Sequence, residues 1–198
     1  QLLSNRTTHT IKEIRKQIYF TSLDCSFAGT GGCLAYLNKD EIENALTHID
    51  INDIMDEKYF EIKKQQLLEE SRKLYNIGKP IPIAEDATYE QFITEKKICK
   101  SACLKECIQD KKFHELNRKF REEIVGVDGA TIIDHDGTIV AVGAIIQIEA
   151  GSSGGGRLAA TKTLAKYGVA IKVSADGIMQ AFIKDKKNNN VKSIFTVG

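Results

Sequence analysis

The spacing of hydrophobic and polar positions changes midway along the chain. In the first half, apolar residues recur every three or four positions, which is the spacing of one face of an α-helix. This spacing predicts helices over 9–20, 41–47, 56–75 and 88–123, the last with a break near Asp110. In the second half, short apolar runs bounded by turn residues predict strands over 131–134, 138–148, 169–174, 178–183 and 193–197.

One strand is predicted inside the helical half. The segment 32–37 is a continuous apolar run behind a glycine-rich turn, which is typical of a strand buried on both faces. We therefore expect an α/β fold with a central mixed β-sheet flanked by helices. A helical insertion, about 40–123, would separate this first core strand from the strand of Asp128-Gly129-Ala130. We expect residues 1–198 to form a single domain, with its clearest internal boundary at Pro80 and Pro82.

The stretch 151–156 contains only glycine and serine and leads into a helical pattern near Arg157. The first amides of a helix lack partners and the helix dipole is positive there, so a glycine-rich loop at such a place binds anions. Arg157 adds a planar guanidinium that suits phosphate oxygens. Asp128 stands at the start of a strand, where its carboxylate would serve a divalent metal. Together these features predict a nucleotide phosphate site.

Each of these features also has a plainer interpretation. Asp-Gly occurs at Asp128, Asp136 and Asp176, and this dipeptide is first of all a turn signal. A turn is the favoured interpretation of Asp136 and Asp176, whereas Asp128 has no partner strand just before it. The stretch 151–156 is also consistent with a flexible surface connection. Neither standard nucleotide motif is present, because Arg157 stands where a Walker A loop requires Lys, and no G-x-G-x-x-G occurs.

Four segments together resemble a known family. In them, the chain is similar to the diadenylate cyclase domain found in the DNA integrity scanning protein DisA and its relatives, and the resemblance covers roughly 22–37 and 126–182. The segments read Gly31-Gly32-Cys33-Leu34-Ala35-Tyr36-Leu37, Asp128-Gly129-Ala130, Gly156-Arg157-Leu158-Ala159-Ala160 and Val173-Ser174-Ala175-Asp176-Gly177.

The resemblance implies roles for two of these motifs. In the family, the aspartate of Asp-Gly-Ala helps to hold the metal and to activate the ribose 3′-hydroxyl, which would be the role of Asp128. An Arg-His-Arg motif holds the triphosphate of ATP, and here only Arg157 remains of it. The family's acidic stretch after the last core strand appears as Ser174-Ala175-Asp176. The lost imidazole and guanidinium would remove charge that neutralises a triphosphate, so the resemblance implies a sensor-like branch.

The leading hypothesis is therefore a nucleotide-binding, sensor-like domain for ATP or an adenine dinucleotide, with weak or no cyclase activity. Asp128 would hold a Mg²⁺ or Mn²⁺ ion that accompanies the nucleotide, and it would be the catalytic residue if the domain were active. The candidate nucleotide-binding residues are Asp128, Gly129, Ala130, Gly154, Gly155, Gly156, Arg157, Ser174 and Asp176.

Two alternative functions remain open at this point. An active diadenylate cyclase would make cyclic di-AMP from two ATP molecules. In the family this reaction needs two protomers face to face, so a homodimer or higher oligomer is expected. A protein interaction module with a degenerate pocket would instead show no response to nucleotides, and its helical insertion would provide the partner surface.

Composition narrows the expected partners. The formal net charge is +1, which predicts no general attraction to nucleic acid. With 42% hydrophobic and 28% charged residues, the chain has the composition of a soluble globular domain. No apolar run approaches the ~20 residues that span a bilayer. We therefore expect a cytoplasmic protein without a membrane partner.

The chain has five cysteines, and three of them recur every four residues at Cys99, Cys103 and Cys107. Successive pairs would share a helix face, but the first and third would lie about 12 Å apart along the axis, too far for one metal ion. A small apolar packing stripe is the favoured interpretation, and zinc binding or redox sensing is the alternative.

Overall fold

The computed structural model describes residues 2–74, 83–84, 86–95, 100–148 and 155–198. The boundary expected at Pro80 and Pro82 lies outside these residues, as do Cys99 and 151–154 of the glycine and serine stretch. Within the described part, no helix combines the length and the apolar character needed to cross a bilayer.

A six-stranded mixed sheet forms the centre of the molecule, in the order β3-β2-β1-β4-β5-β6. Strands β1 and β2 run parallel, and every other neighbouring pair is antiparallel. This arrangement confirms the expected mixed sheet. The strands are β1 (Gly32–Leu37), β2 (Ala130–Ile133), β3 (Ile139–Ala144), β4 (Gly168–Val173), β5 (Met179–Lys184) and β6 (Val191–Val197).

Seven α-helices accompany the sheet in the described residues. Those between β1 and β2 form the helical insertion that the sequence predicts, and the last of them packs directly on β1. The helices are α1 (Leu2–Phe27), α2 (Ile42–Leu46), α3 (Glu57–Leu74), α4 (Tyr89–Glu95), α5 (Lys100–Ile108), α6 (Arg118–Gly126) and α7 (Gly156–Leu164).

Strand β1 is buried along its whole length because helices cover both faces of the sheet. Alternate side chains of a strand point to opposite faces. Cys33, Ala35 and Leu37 accordingly pack into a core with residues of α2, α3 and α7. Leu34 and Tyr36 pack into a second core with residues of α1 and α6. The continuous apolar run that predicted this strand therefore reflects a three-layer arrangement.

The predicted strand 138–148 is too long and ends at Ala144 in the structure. Gly143 has a positive φ of 62°, a conformation that interrupts the regular ladder. Beyond it the chain turns toward the insertion, where Ile146 forms an isolated antiparallel bridge with Ile49. The segment 145–148 is therefore shared between the sheet and the insertion.

The first helix is longer than its predicted range of 9–20. Thr21 and Ser22, which favour helix ends, lie inside it because their hydroxyls donate to the carbonyls of Gln17 and Ile18 one turn earlier. The break predicted near Asp110 is present, since α5 ends at Ile108 and α6 begins at Arg118.

Candidate functional site

Four of the expected site residues, Asp128, Gly129, Gly156 and Arg157, come together where β1 and β2 begin. The two strands are parallel and pair in register from Cys33 and Ala130, so their first residues meet at one edge of the sheet. Helix α7 packs on both strands and begins at the same edge, because the guanidinium of Arg157 lies directly over Gly31. The start of α7 and the Asp128-Gly129 turn therefore face a common space.

That space is a cavity of about 490 Å³, which we call the edge cavity. This volume lies within the range of small-molecule sites in proteins. Its polar lining comes from the two predicted motifs, and its apolar lining from β1, α7 and the segment after β3. The lining residues are Cys33, Asp128, Gly129, Ala144, Ile145, Ile146, Ile148, Gly156, Arg157 and Ala160.

Asp128 is exposed and lines the edge cavity, two residues after the end of α6. Its position depends on Gly129, which has a positive φ of 110°. A Cβ at Gly129 would overlap the main-chain carbon and oxygen of Gly143, so only glycine allows β2 to begin this close to the end of β3. Asp128 and the isoleucines Ile145, Ile146 and Ile148 line the same cavity.

The N-terminus of α7 opens toward the edge cavity. Its N-cap is Gly155, which has a φ of 81° and supplies no side-chain cap. A Cβ at Gly156 would meet nothing within 4 Å, so the first turn of the helix has open space beside it. Main-chain amides and the positive end of the helix dipole favour an anion at this position.

The exposed side chain of Arg157 is placed by a neighbour that sequence reasoning did not select. A Cβ at Gly31 would collide with Nη1 of Arg157 and would lie 3.0 Å from its Cζ, so glycine is needed for the guanidinium to lie there. In the sequence, Gly31 begins the first of the segments that carry the family resemblance, but the Gly31-Gly32 pair predicts a turn and not a contact with Arg157.

Cys33 lies among the residues around the edge cavity, and its thiol is inert by environment. Burial raises the pKa of the Cys33 thiol to about 11, although the hydroxyl of Thr161 and the charge of Arg157 act in the opposite direction. The sulfur lies 3.3 Å from Oγ1 of Thr161, which donates at 2.8 Å to the carbonyl of Arg157. These contacts tie β1 to the first turn of α7.

The apolar part of the lining is the feature that sequence reasoning missed. Ile145 is 65% exposed and Ile148 is 44% exposed, which is unusual for large apolar side chains. Ile146, by contrast, is buried against the core. The three isoleucines come together because the segment 145–148 contacts the insertion. A local sequence pattern could not have indicated this contact.

The remaining candidates lie elsewhere. Ala130 is buried inside β2, and Gly154 lies outside the described residues. Ser174 and Asp176 belong to the β4–β5 turn, where Asp176 Oδ1 accepts from the amide of Ile178, and neither lines the edge cavity. The turn nevertheless lies at the same edge of the sheet, since Gly32 pairs with Val173.

The edge cavity has few groups that could hold a metal ion. No group of three or more His, Cys, Asp or Glu side chains in the described residues could hold one. Asp128 is the one carboxylate among the described lining residues. Magnesium is commonly held by one or two carboxylates plus phosphate oxygens and water, so a single aspartate suits an ion that arrives with phosphate.

Similarity to known proteins is found among solved structures. No family model and no curated protein matches the chain. Among solved structures, a double mutant of DacA from Staphylococcus aureus, a diadenylate cyclase, matches with a probability of 1.00, a TM-score of 0.42 and 12% sequence identity. The match covers 93% of this chain and 87% of that chain. The roles proposed for individual residues rest on the geometry of this chain alone.

Proposed function

We propose that this chain is a nucleotide-binding domain that takes ATP or an adenine dinucleotide in the edge cavity and acts as a sensor. The observation that carries this proposal is the single cavity that combines an open helix N-terminus, a guanidinium, a carboxylate and an apolar wall. Such a combination matches the three chemical parts of a nucleotide, which are phosphate, ribose and base.

Each part of the cavity would bind one part of the ligand. The first amides of α7 and the fork of Arg157 would hold phosphate oxygens. Asp128 would hold the ribose or a Mg²⁺ or Mn²⁺ ion bound to the phosphates, and the metal would neutralise phosphate charge. The apolar side chains of Ile145, Ile146 and Ile148 would cover the base, which gives the two exposed isoleucines a role.

The donor set favours binding over efficient turnover. Condensation of two triphosphates develops charge that catalysts neutralise with several cations. Among the described residues, the lining of the edge cavity contains one guanidinium, Arg157, and one carboxylate, Asp128. We therefore propose a sensor with weak or no cyclase activity.

Isothermal titration calorimetry with ATP and with cyclic di-AMP, each with and without Mg²⁺ or Mn²⁺, tests the proposal. We expect Arg157→Gln to weaken binding about tenfold or more, because a charge-assisted bidentate contact is lost. Asp128→Asn should remove the gain in affinity that the metal provides. If neither nucleotide binds at millimolar concentration, the proposal is wrong.

Asp176→Asn is the matched control for Asp128→Asn. Both aspartates are exposed and precede a glycine, but Asp176 lies in the β4–β5 turn and does not line the edge cavity. We expect its substitution to leave nucleotide affinity within about twofold. Equal losses in the two variants would show that the ligand occupies the turn instead.

A product assay separates the sensor from the active cyclase. The same preparation is incubated with ATP and Mn²⁺, and cyclic di-AMP is measured by liquid chromatography. The sensor proposal expects binding without appreciable product. Product that disappears in Asp128→Asn would show an active enzyme and overturn the sensor role while retaining the nucleotide site.

A further inference from the structure

The last strand of the sheet, β6, has a free edge. It pairs with β5 on one side, and no other segment in the described part of the chain pairs with its opposite side. The strand contains no proline, and all its residues except Val191 and Phe195 are exposed. Main-chain groups that are unpaired along a strand of this length are available to another strand.

The ladder between β5 and β6 contains a β-bulge at Ile194. Ala181 pairs with Phe195 and its neighbour Phe182 pairs with Ser193, so Ile194 is the extra residue. Phe195 packs against the second core, whereas Phe182 packs into the core on the other face of the sheet. Ser193 and Phe195 therefore point to opposite faces, although residues two apart in a regular strand share a face.

Before the bulge, β6 presents the main chain of Ser193 to solvent. The amide of Asp185 donates to the carbonyl of Asn190 at 2.7 Å, which makes these two residues a hydrogen-bonded pair. Such pairs alternate with non-bonded pairs along an antiparallel ladder. Counted from Asn190, Lys192 bonds to β5, and the amide and carbonyl of Ser193 point away from β5.

After the bulge, β6 presents the main chain of Thr196. In the ladder between β4 and β5, the amide of Ser174 donates to the carbonyl of Ile178 at 2.8 Å. The same alternation bonds every second residue of β5 from Ile178 onward to β4, and it leaves Ala181 to bond to β6. Phe195, the partner of Ala181, is therefore bonded inward, and the amide and carbonyl of Thr196 point outward.

The bulge decides which strand can pair with this edge. Its outward groups lie three residues apart, at Ser193 and Thr196, whereas a regular strand presents such groups at every second residue. A regular strand can therefore pair at one of the two positions only. A second β6 that runs antiparallel has the same spacing, so Ser193 of each copy would meet Thr196 of the other, and each such pair exchanges two main-chain hydrogen bonds.

The side chains match in the same register. Ile194 would stand opposite the second copy's Phe195, whose ring lies 6.5 Å from that of Tyr19 in its own chain. In a single chain, Ile194 is 46% exposed, and Val197 and Tyr19 are each 43% exposed. Cross-strand pairs of an aromatic and a β-branched residue are stabilising, and coverage of these exposed apolar side chains adds hydrophobic burial.

The charges at the two ends of β6 are complementary. The β5–β6 turn carries the exposed Lys186 and Lys187, and the β4–β5 turn carries the exposed Asp176. Antiparallel pairing of two β6 strands brings the β5–β6 turn of each copy level with the second copy's β4–β5 turn, at two strand spacings or about 10 Å. Opposite charges at this distance favour the antiparallel orientation.

We propose that the free edge of β6 is the interface of a homodimer, in which two copies join their sheets about a two-fold axis between Ile194 and Phe195. Strands β4 and β5 separate this interface from β1 and the edge cavity, so it does not depend on nucleotide binding. It leaves both edge cavities open and thus differs from the face-to-face pairing that the family resemblance implies. Its area is at the low end of specific interfaces, so the dimer dissociates on dilution.

Sedimentation velocity of the full chain without nucleotide, over about a hundredfold range of concentration, tests the proposal. We expect monomer at low and dimer at high micromolar concentration. Thr196→Pro removes an outward amide and should abolish the dimer, whereas Thr196→Ala retains that amide and should preserve it. A chain that stays monomeric up to millimolar concentration, or a Thr196→Pro variant that still dimerises, would overturn the proposal.

Disulfide cross-linking tests the register without a proline. In the Ser193→Cys/Thr196→Cys double variant, each introduced thiol faces the other one in the second copy, at a Cα separation of about 5.5 Å that allows a disulfide. Within one chain the two positions are about 10 Å apart, too far for a bridge. We expect a covalent dimer on a non-reducing gel after oxidation.

The two single variants, Ser193→Cys and Thr196→Cys, are the controls for this experiment, because they contain the same native cysteines. We expect much less covalent dimer from each of them than from the double variant. If the double variant gives no covalent dimer, or no more than the single variants, the proposed register is wrong and the proposal fails, even where Thr196→Pro does not fold.

Ile194→Lys tests the apolar part of the interface. We expect it to weaken dimerisation tenfold or more, because it places a charge opposite the second copy's Phe195. Ile145→Lys is the matched control for dimerisation: it makes the same change at an exposed isoleucine beyond β3, and the dissociation constant of the dimer should stay within about twofold. Equal dissociation constants in the two variants would show that the copies associate through another surface.

Discussion

At the scale of single residues, two glycines at close contacts determine the shape of the edge cavity. Gly31 leaves room for the guanidinium of Arg157, and Gly129 allows β2 to begin against Gly143. Sequence patterns predicted Asp128 and Arg157 because charged residues beside glycines are readable signals. They did not predict that Gly31 leaves room for Arg157. The two residues lie 126 positions apart in the sequence, and a local pattern contains no information on such a contact.

Alanine substitutions at Gly129 and Gly156 test which of the two positions requires glycine for the stability of the fold. We expect Gly129→Ala to destabilise the fold by about 1–3 kcal/mol, because φ is positive and the added Cβ overlaps the main chain of Gly143. Gly156→Ala is the control, since a Cβ there meets open space at the start of a helix. Urea denaturation measures both, and equal stabilities would contradict the close approach of β2 and β3.

The cysteines are predicted to differ sharply in reactivity. Burial raises the pKa of Cys25 to about 12 and of Cys33 to about 11, whereas Cys103 and Cys107 are exposed. Because the thiolate is the nucleophile, iodoacetamide at pH 8 should label Cys103 and Cys107 first. Cys25 and Cys33 should react only after unfolding, or as the pH approaches their raised pKa values.

Peptide mass spectrometry before and after addition of guanidinium chloride measures this order of labelling. The unfolded protein is the internal control, because all five thiols of the chain should react in it at similar rates. Rapid labelling of Cys33 in the folded protein at pH 8 would show that β1 is open to solvent at the edge cavity.

At the scale of elements, the strand β1 and the insertion were predictable, but the end of β3 was not. A run that is apolar on both faces identifies a central strand without further information. The predicted strand 138–148 failed at Ala144 because Gly143 breaks the ladder and the next residues pair with the insertion. Ile146 lies 97 positions from its partner Ile49, so the bridge results from tertiary packing alone.

The insertion is fixed to the sheet by a buried hydrogen bond between α3 and the β2–β3 turn. The hydroxyl of Tyr59 donates at 2.5 Å to Oδ2 of Asp134, whose Oδ1 accepts from the amides of Asp136 and Thr138. Burial raises the pKa of Asp134, and the neighbouring Asp136 raises it further. Asp134 and Asp136 lie in the β2–β3 turn, at the opposite ends of β2 and β3 from the edge cavity. The raised pKa of Asp134 is therefore explained by its structural contacts and not by a role in that cavity.

Tyr59→Phe should therefore destabilise the protein by about 1–3 kcal/mol, because it leaves a buried carboxylate oxygen without its donor. Tyr19→Phe is the matched control: Tyr19 is 43% exposed, and its change should stay within about 0.5 kcal/mol. Chemical denaturation followed by circular dichroism measures both. A Tyr59→Phe variant as stable as the control would show that α3 is held by apolar packing alone.

At the scale of the whole molecule, one short segment connects the edge cavity to the helical insertion. Ile145, Ile146 and Ile148 line the edge cavity. The insertion holds this segment through two hydrogen bonds to its main-chain amides: the amide of Ile145 donates to Oδ2 of Asp53 at 3.1 Å, and that of Gln147 donates to the carbonyl of His48 at 2.9 Å. A ligand in the edge cavity is therefore expected to act on these hydrogen bonds.

Hydrogen exchange of the Ile145 and Gln147 amides tests this coupling. Exchange requires these bonds to open, so we expect saturating ATP to slow both amides about fivefold or more by ordering the wall that this segment forms. The amide of Asn189 in the β5–β6 turn, which donates to the carbonyl of Asp185, is remote from the edge cavity and should not change. Nucleotide binding that leaves the exchange of the Ile145 and Gln147 amides unaltered would show that the ligand does not order this wall, because an ordered wall cannot exchange at the rate of an open one.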